Sequence, residues 1–538
     1  MCGICITWSS DKKIVYSTSD NSNGVSKLTH RGPDGISMRS CLFSLGYTTK
    51  VTVGFARLHI QGSAVPEQPF QLTNGSILVC NGEIFNSKIL DPEPEGEGEG
   101  KSDCASIVTL LEQGLSLFDV ARQLDGDFAI VLVNPTTRTI QMCRDPYGIR
   151  PLFYNADSIA SELKGLSIRE GLQSACVEPG TIVTLDFHTS ETKVERWHQV
   201  PWLKNPSANW THLEGPLVEA VRKRLATVRG IGACLSGGLD SSLVAALAKS
   251  MVGSRSLHTY SIGMEGSPDI LFARRVADHI GSIHHERIIT PEECIAVIPE
   301  VVRAIESFDI TTVRASVGNY LLGQFILRET PDVKVILNGD GADEVFGGYL
   351  YMRAAPNDAA FESETTRLLT EIHRYDVLRS ERCMAAHGLE SRSPFLDRQL
   401  VSVARSIPTH LLRPTADRIE KWVVRMCGGS LLPDSVTWRT KEAFSDGISR
   451  METSWFEMAR AEGERRMAAA TAGLDEHTTK YSVNPPKTAE AAWYRAIFHE
   501  QYSATDASVA TPEMWMPRWV HATDPSARTL TIVSNQAV

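Results

Sequence analysis

Over the first two hundred positions apolar residues come in short runs, at 77–80, 128–133 and 181–185, broken by Gly, Asn, Asp and Pro. That pattern predicts β-strands. One longer helical periodicity interrupts them at about 103–113. It follows an acidic, glycine-rich stretch at 91–100, which cannot pack a core and reads as a solvated loop. Pro, Lys, Asn and Ser mark a break near 201–209, before an amphipathic segment that starts near Thr211. Beyond it the rhythm alternates. Residues 231–235 read as a buried strand, 241–251 as a helix and 333–337 as another strand, which predicts a parallel sheet with helices on both faces. After about Phe346 the pattern is largely helical and closes in a polar tail at 526–538.

The 538 residues exceed what one core ordinarily supports, so two large domains are expected. Their boundaries fall at 1–200 and 211–528, with a linker at 201–210 and a tail at 529–538. A net charge of −10 disfavours a surface built for nucleic-acid phosphates. The eleven cysteines show no spacing of a zinc site and read as mostly buried thiols in a reducing compartment. No uninterrupted apolar run reaches the roughly 18 residues needed to span a bilayer. The opening residues also lack the basic flank of a secretory signal. A cytoplasmic location, with no membrane partner, is the expectation.

Cys2 is the first candidate for chemistry. Removal of Met1 would leave a thiol and a free α-amine on one residue, and the amine, with a reference pKa of about 8, can relay a proton while the thiolate attacks a carbonyl carbon. Alone, such a cysteine is more often a small buried hydrophobe. Further along stand His30-Arg31-Gly32-Pro33-Asp34, Arg57-Leu58-His59, Asn81-Gly82-Glu83-Ile84-Phe85-Asn86 and Ser102-Asp103. Together with Cys2 these resemble the class II glutamine amidotransferase domain, which implies an Ntn-hydrolase αββα sandwich. On that resemblance Arg57 grips the glutamine carboxylate in a bidentate fork, and Glu83 and Asp103 accept from its ammonium. Asn81 and Gly82 would donate to the oxyanion formed on thiolate attack. Taken alone, Asn81-Gly82 reads as a tight hairpin turn.

A second constellation, Leu235-Ser236-Gly237-Gly238-Leu239-Asp240-Ser241-Ser242, follows an apolar strand and opens a helix. Glycines let backbone N–H groups approach an anion, and the helix N-terminus and serine hydroxyls add donors, so a polyphosphate is the natural guest. No Gly-Lys-Ser/Thr follows, so this is not a Walker loop. The octet resembles the pyrophosphate-binding loop of N-type ATP pyrophosphatases, which cleave ATP between its α- and β-phosphates. A second acidic stretch, Gly339-Asp340-Gly341-Ala342-Asp343-Glu344, lies just past the strand ending at Leu337, at the same expected sheet edge. The resemblance implies that Asp240 holds Mg²⁺, and Asp343 supplies a second hard oxygen ligand.

Further runs at 261–269, 309–316, 388–397, 438–447 and 515–519 resemble asparagine synthetases, and the likeness extends over about 1–528. It implies a doubly wound parallel-sheet ATP pyrophosphatase domain with a helical C-terminal part. It also implies ATP as co-substrate, glutamine and aspartate as substrates, and Mg²⁺. By the same resemblance Leu235, Ser236, Gly237, Gly238, Ser241, Ile262, Asn338 and Gly339 touch the nucleotide, with Ile262 beside adenine. Lys441 neutralises phosphate charge, and Asp340 orients or deprotonates the attacking ammonia. Some relatives carry Glu at the place of Asp340. This chain also has Asn338, Ser391 and Ser393 where Ser, Ala and Val are frequent. Trp515 and Trp519 sit at helical spacing and read as core.

The implied reaction releases ammonia from glutamine at Cys2 and passes it inside the protein to a β-aspartyl-AMP. The nearest rivals are an amidotransferase of this architecture acting on another carboxylate, including a β-lactam-forming cyclase, and a non-catalytic scaffold. Cys2 argues against the cyclase, which needs no ammonia. Homodimers occur among the enzymes resembled, and no stretch of this sequence identifies a dimer surface.

Overall fold

A computed structural model describes residues 1–10, 24–44, 48–63, 67–92, 100–167, 172–200, 202–441, 447–449, 454–469, 480–502, 507–521 and 524–526. Most of the acidic stretch at 91–100, the 442–446 part of the run at 438–447 and the tail at 529–538 lie outside these residues.

Two six-stranded antiparallel sheets build the first two hundred residues. The strand Gly126–Asn134 shows how they stack. Its side chains alternate, so Ala129, Val131 and Val133 share a core with Ile4, Ile6 and Val53 of the other sheet. Phe128, Ile130 and Leu132 pack instead with Ile107, Leu110 and Val120 of the helices Ala105–Glu112 and Leu117–Gln123. Burial on both faces explains why that strand reads as a continuous apolar run rather than an alternating one. Asn81 and Gly82 lie within the strand Ile77–Ile84, opposite Ala129 and Phe128, and form no turn.

The second half begins with the helix Thr211–Lys223 and is organised by a five-stranded parallel sheet. Its order is Ile283–Ile289, His258–Met264, Gly230–Cys234, Val333–Leu337, Glu390–Arg392. The chain starts in the middle strand, builds outward on one side, then crosses to the other. The neighbours Gly230–Cys234 and Val333–Leu337 therefore flank the point where strand order reverses, the place where open α/β sheets leave a crevice at their carboxyl ends. Val335 and Leu337 share a core with Leu243 and Val244 of the helix Leu239–Met251, while Ile336 packs in a second core with Val317 and Leu321 of the helix Ile310–Glu329.

Among the described residues the segment beyond Phe346 is mostly helical, as its periodicity predicts, with one exception. Glu390–Arg392 adds an edge strand that a three-residue stretch with two charged side chains does not announce. Trp515 and Trp519 belong to no helix, because Pro517 between them cannot continue one. No helix among the described residues is long and apolar enough to cross a membrane.

Candidate active sites

Antiparallel register brings the first set of residues together. Gly3 pairs with Ala56, so Cys2, at the head of the strand Gly3–Ser10, sits beside Arg57 at the tail of Thr48–Arg57. The Leu58 N–H points at Cys2 Sγ, 3.4 Å away, and Cys2 N donates to Asn81 Oδ1 at 2.9 Å. The other arm of that carboxamide, Nδ2, is buried with no hydrogen-bond partner among the described residues. Gly82 has no room for a side chain, since an added Cβ would lie 2.2 Å from Asp127 O. Arg57 donates from Nη2 to Ser63 O.

Glu83 and Asp103 are buried behind these groups. Asp103 Oδ2 accepts from Ile84 N at 2.6 Å, which fixes the start of the helix Ala105–Glu112 against the tail of Ile77–Ile84. Burial lifts the Asp103 carboxyl to about 6 against the pull of the Ile84 N–H. Burial likewise raises Glu83 well above the ordinary carboxylate range, against Arg392, whose Nη2 lies 3.0 Å from Glu83 Oε2. The Cys2 thiol is pushed up to about 11 by burial. Met1 is buried too, with its ammonium 3.8 Å from Glu390 Oε2. Glu390 and Arg392 are 2.8 Å apart and come from the edge strand of the second half. No local signal in the sequence places these two residues beside this pocket.

The second set gathers at the switch point, around a cavity of about 230 Å³. Leu235, Ser236, Gly238, Asp240, Ser241, Ile262, Asn338, Gly339, Asp340, Asp343 and Lys441 all line it. Gly237 turns the loop with φ +70°, and a Cβ there would lie 2.4 Å from Phe272 Cβ. Ser236 and Ser241 hydroxyls are 3.1 Å apart, and Gly238 caps the helix Leu239–Met251, so hydroxyls and first-turn N–H groups face one space. Gly339 allows the second strand tip to approach, since its Cβ would lie 2.8 Å from Asp240 Cβ.

Asp240 and Asp343 converge on Lys421 rather than directly on each other. Lys421 Nζ lies 2.6 Å from Asp240 Oδ2 and 2.7 Å from Asp343 Oδ1, and Lys441 Nζ lies 2.6 Å from Asp343 Oδ2. Burial opposes ionisation of Asp343, but the two lysines outweigh it and hold the carboxyl well below its usual range. For Lys441 burial is outweighed by Asp343 and Asp240, which keep it charged. Asp240 Oδ1 is buried without a hydrogen-bond partner among the described residues, and this orphaned hard oxygen fits a divalent cation. Asp340 is raised by burial, against Arg379, whose Nη2 donates to Oδ1 at 3.3 Å. Trp515 joins the wall of this cavity beside Tyr349 and Tyr351.

A glutamine-amidotransferase-like thiol site thus shares the chain with a nucleotide-type loop on a parallel sheet. Residues 1–213 match the family model of the glutamine amidotransferase domain, and 212–362 and 353–520 match that of asparagine synthase. The chain is 38% identical to the glutamine-hydrolysing asparagine synthetase of Gallus gallus over 98% of each chain, and 38% identical to that of Homo sapiens over 99% of each. Against the enzyme of that name from Cricetulus griseus identity is 39%, again over 99% of both. The chain belongs to the glutamine-hydrolysing asparagine synthetase family.

Proposed function

We propose that this protein is a glutamine-dependent asparagine synthetase, with residues 1–200 hydrolysing glutamine and 211–528 forming asparagine. Loss of Met1 frees the Cys2 amine, which Asn81 Oδ1 already holds at 2.9 Å. The amine takes the thiol proton, which offsets the burial that otherwise keeps Cys2 protonated. Sγ attacks the γ-carbonyl carbon of glutamine, and the oxyanion turns to Asn81 Nδ2 and Gly82 N. The Cys2 amine passes the thiol proton to the departing nitrogen, so collapse expels ammonia and leaves a γ-glutamyl thioester, which water cleaves to glutamate and the free thiol. Arg57 binds the glutamine carboxylate, and Glu83 and Asp103 its ammonium.

In the second half the Leu235–Ser241 loop takes the phosphates of ATP, with Asn338 and Gly339 alongside and Ile262 against the adenine. The β-carboxylate of aspartate attacks the α-phosphorus, giving β-aspartyl-AMP and pyrophosphate. Lys441 offsets charge on the phosphates as the bond breaks. Mg²⁺ on Asp240 and Asp343 would neutralise charge on the departing pyrophosphate. Ammonia then displaces AMP from the acyl carbon, and Asp340, its pKa raised by burial, accepts the proton released.

The carrying observation is one strand that touches both sets. In Glu390–Arg392 alternate residues face opposite sides, so Arg392 reaches Glu83 at 3.0 Å while Ser391 Oγ accepts from Asn338 Nδ2 at 2.8 Å. All eleven cysteines are unbridged, which supports a reducing, cytoplasmic setting.

Product analysis with aspartate, glutamine and Mg·ATP tests the assignment, comparing wild type with Cys2→Ala and supplying ammonium in parallel. Asparagine, AMP and pyrophosphate from wild type, with the variant active only on ammonium, are expected. Glutamate without asparagine, from folded protein that binds ATP, would overturn the aspartate assignment and point to another acceptor.

A further inference from the structure

Lys421 belongs to none of the motifs legible in the sequence, yet its ammonium occupies the centre of the cluster formed by Asp240 and Asp343. It is 1% exposed, and it holds one oxygen of each carboxylate, at 2.6 and 2.7 Å. Its position is built. The backbone at Lys421 is left-handed, with φ +55°, a conformation that a non-glycine residue keeps only where its surroundings impose it. The preceding Glu420 is fully buried, takes Arg425 Nη2 at 2.8 Å and accepts from Lys441 N at 2.8 Å. The lysine stem passes Gly348, where an added Cβ would lie 2.9 Å from Lys421 Cδ and 2.0 Å from Asp343 Oδ1.

Two carboxylates face two ammoniums here, so Asp240, Asp343, Lys421 and Lys441 sum to zero charge. Of the four carboxylate oxygens, Asp240 Oδ1 alone has no hydrogen-bond partner among the described residues. A divalent cation entering by itself must push a buried ammonium off its ligands or add two positive charges to a balanced cluster. Either is costly at such short range in a desolvated site. A polyphosphate changes the balance, because its oxygens offer the displaced ammoniums new partners in the same cavity.

We propose that Lys421 makes metal binding at Asp240 and Asp343 conditional on a polyphosphate. Its ammonium closes both carboxylates to a bare divalent cation and transfers to phosphate oxygens when nucleotide and metal arrive together. The enzyme is thereby kept from storing metal without substrate. The inference rests on the reading of Asp240 and Asp343 as metal ligands, and asparagine formation plays no part in its test.

The full chain, free of nucleotide, is titrated with Mn²⁺ and the free ion is read by electron paramagnetic resonance. Wild type is expected to bind weakly, and Lys421→Met at least about tenfold more tightly, since one like charge is gone from the cluster. Adding Asp240→Asn to that variant should abolish the gain. A second titration of wild type uses inorganic pyrophosphate, corrected for the manganese–pyrophosphate complex in solution. Pyrophosphate is expected to tighten Mn²⁺ by at least about tenfold, the same factor by which the metal tightens pyrophosphate. Lys421→Met binding Mn²⁺ no better than wild type would overturn the proposal. So would wild type binding the ion equally well with and without pyrophosphate, a measurement that needs no variant to fold.

Discussion

Asn338 donates from Nδ2 to the hydroxyl of Ser391 at 2.8 Å, and its Oδ1 accepts in turn from Ser393 Oγ at 2.8 Å. All three side chains are buried. They are also three of the positions at which the family resemblance leads one to expect other residues, Ser, Ala and Val, and the bonds between them make these departures one connected change rather than three. The same Oδ1 also accepts from Asp340 N at 3.2 Å, which ties the network to the carboxylate assigned to ammonia capture. Asn338→Ser alone strands two buried hydroxyls and should lower stability by about 1–3 kcal/mol. The triple variant Asn338→Ser/Ser391→Ala/Ser393→Val should recover most of that loss. Urea midpoints for the singles and the triple decide it. Strictly additive losses would mean that the three residues act independently.

Local signals carried the parts of the sites that lie contiguous in sequence. The 235–242 loop, the 339–344 stretch and the 81–83 triplet each announce donors or carboxylates within a few residues. Lys421 could not be found this way, because it lies 181 positions from Asp240 and is brought there only by packing. Its one signal is a lone lysine immediately before the mostly apolar start of the helix Trp422–Gly428. Glu390 and Arg392 lie inside the 388–397 run, and nothing local in the sequence connects them to Glu83. Asn81-Gly82 has the letters of a turn, yet pairing with Ala129 and Phe128 imposes a strand, a tertiary effect that overrides a two-residue preference.

Arg31 joins the two halves. Nη1 lies 2.5 Å from Glu162 Oε1, Nη2 rests on Glu381, and Nε donates to Cys2 O at 2.9 Å. Arg31→Met removes one partner from a fully buried ion network and should destabilise by about 3 kcal/mol. The lower end of the usual range applies because Glu162 keeps Lys164 and Arg382. Glutamine hydrolysis should fall as well, since the Cys2 carbonyl loses its anchor. Urea unfolding and glutaminase assays measure both. Unchanged stability would show that desolvation of Arg31 cancels its pairing.

Asp103 should set an acid limb on glutamine use. Its carboxyl, lifted to about 6 by burial, must be ionised to accept from the glutamine ammonium, so kcat/KM for glutamine should rise as pH increases through about 6. Stability runs the other way. The unfolded carboxyl ionises near 3.8, so between 3.8 and 6 the folded chain keeps a proton that the unfolded chain has lost. The contribution of this group to stability therefore falls as pH rises across that window and stays low above it. Asp103→Asn should flatten the acid limb, weaken glutamine binding, and gain thermal stability relative to wild type at pH 8 more than at pH 4. A limb that survives in Asp103→Asn would assign it to another group.

Gly339 tests whether the two strand tips must touch. A methyl group there would sit 2.8 Å from Asp240 Cβ and 2.8 Å from Ser241 N, closer than nonbonded atoms tolerate. Ser241 N belongs to the first turn of the helix Leu239–Met251 and cannot yield without moving the phosphate loop. Gly339→Ala should therefore part the helix start that bears Asp240 from the segment that bears Asp340 and Asp343. A misplacement of this kind is expected to cost on the order of a hundredfold in ammonium-dependent asparagine formation. Glutamine hydrolysis measured without ATP should be unaffected, because the atoms nearest an added methyl belong to Asp240 and Ser241 rather than to the Cys2 pocket. Equal losses in both assays would instead indicate a global defect, and retained synthesis would show that the cavity tolerates a wider separation of its carboxylates than their shared lysine implies.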